Sequence, residues 1–151
     1  MITGLIAPLL TPFDDNLALD QEKFNAHAQR LLDTGCAGLA PFGTTGEALS
    51  VSHRERKAAL EGLVAADIDP SVMIPGTGLC NLPDTVDLCQ HAINLGCAGV
   101  MTLPPFYFKG MSDAGLYDYF VQLIDMVDET RLKIYLYPVS YTHLTLPTRI
   151  F

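Results

Sequence analysis

A chain of 151 residues, about half of them hydrophobic, holds one ordinary domain with a sizeable core and has no room for two. Its formal charge of -8 and pI near 4.7 argue against nucleic acid or an anionic membrane surface as a partner, because both are engaged through clustered Lys and Arg, and the nine basic residues here are scattered. No apolar run approaches the length of a bilayer crossing, and Met1-Ile2-Thr3-Gly4 lacks a basic leader region, so a soluble, cytoplasmic protein is expected.

Five short apolar runs alternate with stretches of helical period, the pattern of a parallel sheet with crossover helices. The runs are Leu5 to Leu10, Ala37 to Ala40, Val72 to Thr77, Gly99 to Leu103 and Ile134 to Tyr137, each apolar enough to be covered on both faces. The first helix follows the N-cap Asp20, carries Phe24, Ala28, Leu31 and Leu32 on one stripe, and stops at Gly35. The second opens on a capping box, Ser52 with Glu55, with Val51 as its staple and Leu60, Leu63 and Val64 as the buried stripe. Pro83 suits the first turn of the third helix, whose Val86, Cys89 and Ile93 face inward before Gly96. Ser112 caps the fourth, which is expected to pack through Leu116, Phe120 and Ile124.

The four cysteines, Cys36, Cys80, Cys89 and Cys97, never form a Cys-x-x-Cys pair and read as small hydrophobes rather than as zinc ligands or disulfides. His53-Arg54-Glu55 has the His-x-Glu of zinc deaminases without the Pro-Cys-x-x-Cys that supplies the other ligands, so no metal is expected.

Gly35-Cys36-Ala37-Gly38 recurs as Gly96-Cys97-Ala98-Gly99, each time closing a helix and opening a strand. The offset of 61 residues corresponds to two βα units, since one unit of a (β/α)8 barrel takes roughly 31 residues. Alternate strands therefore reuse one packing solution. A doubly wound open sheet has the same alternation, so periodicity leaves both architectures open.

In either architecture ligands bind beyond the C-terminal ends of the strands. After the second run stands Gly43-Thr44-Thr45-Gly46-Glu47, where the glycines allow close backbone approach and the hydroxyls can donate to a carboxylate; the same pentapeptide also suits a plain connecting turn. After the fourth run, Leu103 to Gly110 is a rigid aromatic loop that presents Tyr107 and Lys109. In the fifth, Tyr135 and Tyr137 share one face and Leu136 takes the other, which directs the tyrosines to a barrel interior as proton relays or as packed aromatics.

The order and separation of these segments resemble the dihydrodipicolinate synthase / N-acetylneuraminate lyase family. The resemblance runs from Gly4 to Tyr137 and includes Leu10-Thr11-Pro12-Phe13, the Gly-Thr-Thr-Gly-Glu turn, Gly76-Thr77-Gly78, the Pro-Pro-Phe-Tyr segment and Leu136-Tyr137. It implies a (β/α)8 barrel truncated after about four and a half βα units, and Schiff-base chemistry on pyruvate or a larger 2-keto acid without a bound cofactor. By the same resemblance, Tyr137 and Thr44 belong to the proton relay, Thr45 with Gly43 and Gly46 holds the carboxylate, and Tyr107 serves the relay of a neighbouring subunit in a dimer of dimers.

The resemblance also implies a nucleophilic lysine at the end of a sixth strand, which the chain does not reach. Lys23 and Lys57 lie on helices, Lys133 opens the fifth run at the opposite end, and Lys109 sits in a loop suited to an exposed charge. Pro138 stands where the family has a polar residue. Val139 to Thr148 matches ten translated codons of a transposon-end adapter used in DNA library preparation, so residues 1–137 are expected to be the lyase half-domain and 138–151 a non-native tail. A non-catalytic barrel-like protein that binds 2-keto acids is the alternative to a lyase fragment.

Overall fold

The computed structural model describes residues 2–137; the expectations for the tail lie outside them. Four parallel strands of three residues each, β1 (Ile6–Pro8), β2 (Gly38–Ala40), β3 (Val100–Thr102) and β4 (Ile134–Leu136), alternate with the helices α1 (Gln21–Asp33), α2 (His53–Ala65), α3 (Leu82–Leu95) and α4 (Asp113–Val127). β1 pairs with β2, Ile6 opposite Gly38, and β3 with β4, Val100 opposite Ile134.

The third apolar run, read as a strand from Val72 to Thr77, is instead an extended segment entered through a short 3-10 turn at Pro70–Val72. It bridges to β2 at Leu39 and Met73 and to β3 at Gly76 and Met101. Ile74 and Gly76 donate to the carbonyls of Leu39 and Pro41 at 2.9 and 2.8 Å on one side. On the other, Thr77 donates to Met101 O at 3.0 Å, and Met101 donates to Pro75 O at 2.9 Å. Pro75 has no N–H for the rung that this alternation would place on the β3 side, and the ladder lapses there. The order β1, β2, third segment, β3, β4 follows the chain without reversal, which is the wall of a barrel rather than a doubly wound sheet. Among the described residues the wall does not close.

Fully buried hydrophobic side chains come from Leu9 directly after β1, Leu39 of β2, Met73 of the third segment and Val100 of β3, and from every helix, among them Phe24, Leu63, Cys89 and Leu123. α1 packs on α2, α2 on α3 and α3 on α4. The helix starts are as the sequence indicates. Asp20 accepts from Lys23 N, Ser52 and Glu55 form the reciprocal box, and Ser112 accepts from Gly115 N; α3 is capped by Asn81, one residue before the helix begins. The repeated tetrapeptide is one packing device used twice. A Cβ on Gly38 would meet Val72 O at 2.9 Å and one on Gly99 would meet Lys133 O at 2.8 Å, so each glycine lets the next segment of the wall approach.

Two packing expectations change. Ile124 is 50% exposed; the inner stripe of α4 is Leu116, Phe120, Leu123 and Val127, and Ile124 falls on a flank that no further helix covers among the described residues. β4 is likewise not covered on both faces, since Leu136 is 61% exposed beside that flank. All four cysteines are free thiols. Cys89 donates to Thr77 Oγ1, which lies 2.9 Å from Thr102 Oγ1, and burial pushes the Cys97 thiol up to about 12. No helix among the described residues is long and apolar enough to cross a membrane.

Asp87 on α3 ties that helix to α2, at 2.9 Å from Lys57 Nζ and 2.7 Å from His53 Nε2. The hydrogen bond from Lys57 holds the Asp87 carboxyl below its ordinary value, against a smaller opposing effect of burial. A carboxyl lowered by folding stabilises fully above its unfolded value and loses that contribution as pH falls through the folded one. Asp87→Asn is therefore expected to cost under about 1 kcal/mol at pH 7, because the pair is half exposed, and the difference should vanish near pH 2. Urea midpoints of both proteins at the two pH values test this, and an equal gap at both would show that the carboxylate charge is irrelevant.

Candidate functional site

The turn after β2 is fixed from beneath. Gly43 is buried against the Met101 side chain, whose terminal methyl would stand 3.1 Å from a Cβ placed there. Gly46 is buried as well; its Cβ would meet Leu9 O at 2.5 Å, and its carbonyl accepts from Thr11 Oγ1 at 2.6 Å. Glu47 then adopts a left-handed conformation, with φ 50°. The carbonyls of Gly43 and Thr44 are consumed inside the turn by the N–H groups of Ala48 and Glu47, at 3.2 and 3.1 Å.

These constraints leave Thr44 and Thr45 exposed at the C-terminal end of the wall. Their backbone N–H groups meet no acceptor among the described residues. Two adjacent amides and two hydroxyls on a turn held by buried glycines form a set of donors suited to an anionic oxygen, without a cationic side chain.

The expected site residues are not all brought together. Thr44 lines a small cavity of about 150 Å³ with Glu47, Ala48, Gly78, Leu103 and Phe106, so the cradle meets the aromatic loop. Tyr107 is outside that cavity, 76% exposed and edge-on to Phe108 with ring centroids 5.6 Å apart. Tyr137 is half-buried at the end of β4, and its N–H donates to Thr102 O at 3.1 Å. In the register of the pair, Met101 stands opposite Tyr135, so Met101, Tyr135 and Tyr137 share a face and Thr102 and Leu136 the other. The face with Met101 is the one that Gly43 abuts.

None of the lysines lines the cavity. Lys23 pairs with Asp20 at 2.7 Å, Lys57 with Asp87, and Lys109 donates to Phe106 O at 2.9 Å within its own loop. Lys133 lies at the far, N-terminal end of the wall, on a larger opening that also takes in Ile2, Ser71 and Arg131. No group of three or more metal-binding side chains occurs among the described residues.

Sequence reasoning missed Arg56. It is 2% exposed, with its guanidinium folded under the turn that follows the cradle: Nη2 donates to Ala48 O and Nε to Val51 O at 3.3 Å. Burial lowers its pKa to about 10, so it is charged at neutral pH. The signal was present in the spacing, because positions 56, 60 and 63 fall on one helical stripe with two leucines.

Comparison with known proteins agrees with this geometry. The 4-hydroxy-tetrahydrodipicolinate synthase of Brucella suis is 35% identical over 124 residues, which are 82% of this chain and 42% of that protein. The crystal structure of dihydrodipicolinate synthase from Agrobacterium tumefaciens superposes with a TM-score of 0.85 at 38% identity, over 89% of this chain and 47% of that one. YagE, a dihydrodipicolinic acid synthase family protein of Escherichia coli K12 solved in complex with pyruvate, superposes at 0.80 with 34% identity, over 91% of this chain and 45% of its own. The chain thus spans somewhat less than half the length of these relatives. The sequence model of the Dihydrodipicolinate synthetase family matches residues 1–148, which takes in the whole of the segment that also matches adapter codons. On these grounds the chain belongs to the Dihydrodipicolinate synthetase family.

Proposed function

We propose that this chain carries the carboxylate-binding half of a Schiff-base lyase acting on pyruvate or a pyruvyl-containing 2-keto acid, with the activity of 4-hydroxy-tetrahydrodipicolinate synthase as its finer assignment. The observation that carries the reading is the pair of amides at the exposed Thr44 and Thr45, which have no acceptor among the described residues and are set by buried Gly43 and Gly46 at the C-terminal end of the wall. A pyruvate carboxylate docked on those donors turns its carbonyl toward the interior face that Tyr137 shares. Thr44 and Tyr137 are then the proton relay, while Thr45 and the turn backbone hold the carboxylate. Tyr107, exposed at the tip of its loop, is offered to a neighbouring subunit of a dimer of dimers.

Imine formation requires an amine that is partly deprotonated and held beside the carbonyl, conditions that burial and fixed geometry supply. The lysines of this chain are paired, engaged in a loop or remote from the cradle. Incubation of the chain with pyruvate and borohydride is therefore expected to give no pyruvyl adduct by mass spectrometry. A chimera that joins residues 1–137 to the C-terminal half of the Agrobacterium tumefaciens synthase should gain one, on a lysine of the added half. A stoichiometric adduct on Lys109 would overturn this division of labour. The alternative, a non-catalytic binder of 2-keto acids, predicts that the protein's own downstream coding sequence has no lysine at the end of the next strand, about 30 residues beyond Tyr137.

A further inference from the structure

The Arg56 guanidinium is buried, charged and without a carboxylate partner among the described residues, and its Nη1 has no acceptor there. Burying a charge without a counter-charge is costly, and burial alone accounts for its lowered pKa. Two hydrogen bonds to backbone carbonyls offset part of that cost. A leucine at the same point of the α2 stripe would fill the space without any of it, so packing does not explain why an arginine stands there.

What the two bonds do is local. Ala48 O and Val51 O bracket the short 3-10 turn Ala48–Ser50, and Ala48 N–H in turn donates to Gly43 O at 3.2 Å. The guanidinium therefore holds the downstream end of the same turn that Thr11 holds at Gly46. We propose that Arg56 is the positioning residue of the cradle: from beneath the turn it fixes the carbonyls of Ala48 and Val51, and through Ala48 it sets the direction in which the Thr44 and Thr45 donors face. The assignment of those donors to pyruvate rests on the function proposed above; the ordering of the turn by Arg56 does not.

The test is residue-resolved hydrogen exchange and amide shifts on the 151-residue chain, with pyruvate as the probe. In Arg56→Ala, exchange at Glu47, Ala48 and Val51 should accelerate about tenfold, the scale of a lost charge-assisted hydrogen bond, with amides of α3 and α4 unchanged. Ethylguanidinium should restore protection and 1-propanol should not, because a side chain that merely fills volume would be replaced by either. Pyruvate-induced shifts at Thr44 and Thr45 should disappear in the variant and return with ethylguanidinium. If Arg56→Ala does not fold, Arg56→Lys, which keeps the charge and reaches one carbonyl only, should fold and show the same local acceleration at smaller size. Unchanged exchange at the turn, an acceleration spread equally over α3 and α4, or rescue by propanol would each overturn the proposal. If the wild-type chain shows no pyruvate shifts, the assigned ligand fails, while the exchange data still decide the role of Arg56.

Discussion

Replacing Tyr137 by phenylalanine in the chimera with the Agrobacterium tumefaciens synthase is expected to slow turnover by roughly 10²- to 10⁴-fold while leaving pyruvate affinity nearly unchanged. The substitution removes one hydroxyl and keeps the ring. The backbone of residue 137 is independently fixed, since its N–H bonds to Thr102 O, and the ring keeps its place on the face shared with Met101 and Tyr135. A fall in kcat without a matching rise in KM therefore reports proton transfer rather than displacement of the strand. Unchanged turnover would mean that Tyr137 is a packed aromatic whose hydroxyl has no part in the reaction.

The largest structural effect is expected at Gly76. A Cβ there would stand 2.0 Å from Phe42 O and 2.7 Å from its carbonyl carbon, both backbone atoms. Phe42 itself sits at φ 59°, already in the left-handed region, and Gly76 N–H is bonded to Pro41 O at 2.8 Å, so neither chain can retreat without breaking the approach. Gly76→Ala should therefore cost more than the usual overpacking penalty, above about 3 kcal/mol. Because Phe42 directly precedes the cradle, any surviving fold should also have lost its pyruvate shifts. A chemical denaturation midpoint within experimental error of the parent would refute the close contact.

Much of this architecture was legible because local signals agreed with the global pattern. Asp20, Ser52 with Glu55, and Ser112 are caps whose bonds are made within three residues, so sequence distance and spatial distance coincide. The recurring Gly-Cys-Ala-Gly disclosed the repeat for the same reason. What was hidden depends on neighbours remote in sequence. Ile124 has the spacing of an inner residue, yet its exposure is decided by which neighbours cover α4, and among the described residues no helix covers that side. The third run has a strand's composition, and only its placement against β3 reveals that Pro75 leaves a rung unmade. Within the site, the glycines and threonines were legible as a motif. Arg56 was not, because a charged residue on a helix is ordinarily solvated and nothing in its immediate sequence shows that two carbonyls await it.

The lapse at Pro75 bears on how the molecule opens. On either side of it lie the two hydrogen-bonded strand pairs, β1 with β2 and β3 with β4. Within the wall they are joined by the third segment, whose isolated bridges and backbone hydrogen bonds to β2 and β3 stand in place of a full ladder, and outside it by the packing of α2 on α3. Sub-global opening follows the line along which the fewest bonds break, and the backbone pairing of the wall is thinnest at the third segment. The cradle, rooted at the end of β2 and resting on Met101 of β3, lies across that join. A ligand that grips both sides would tie the two strand pairs to each other and stabilise the wall as a whole.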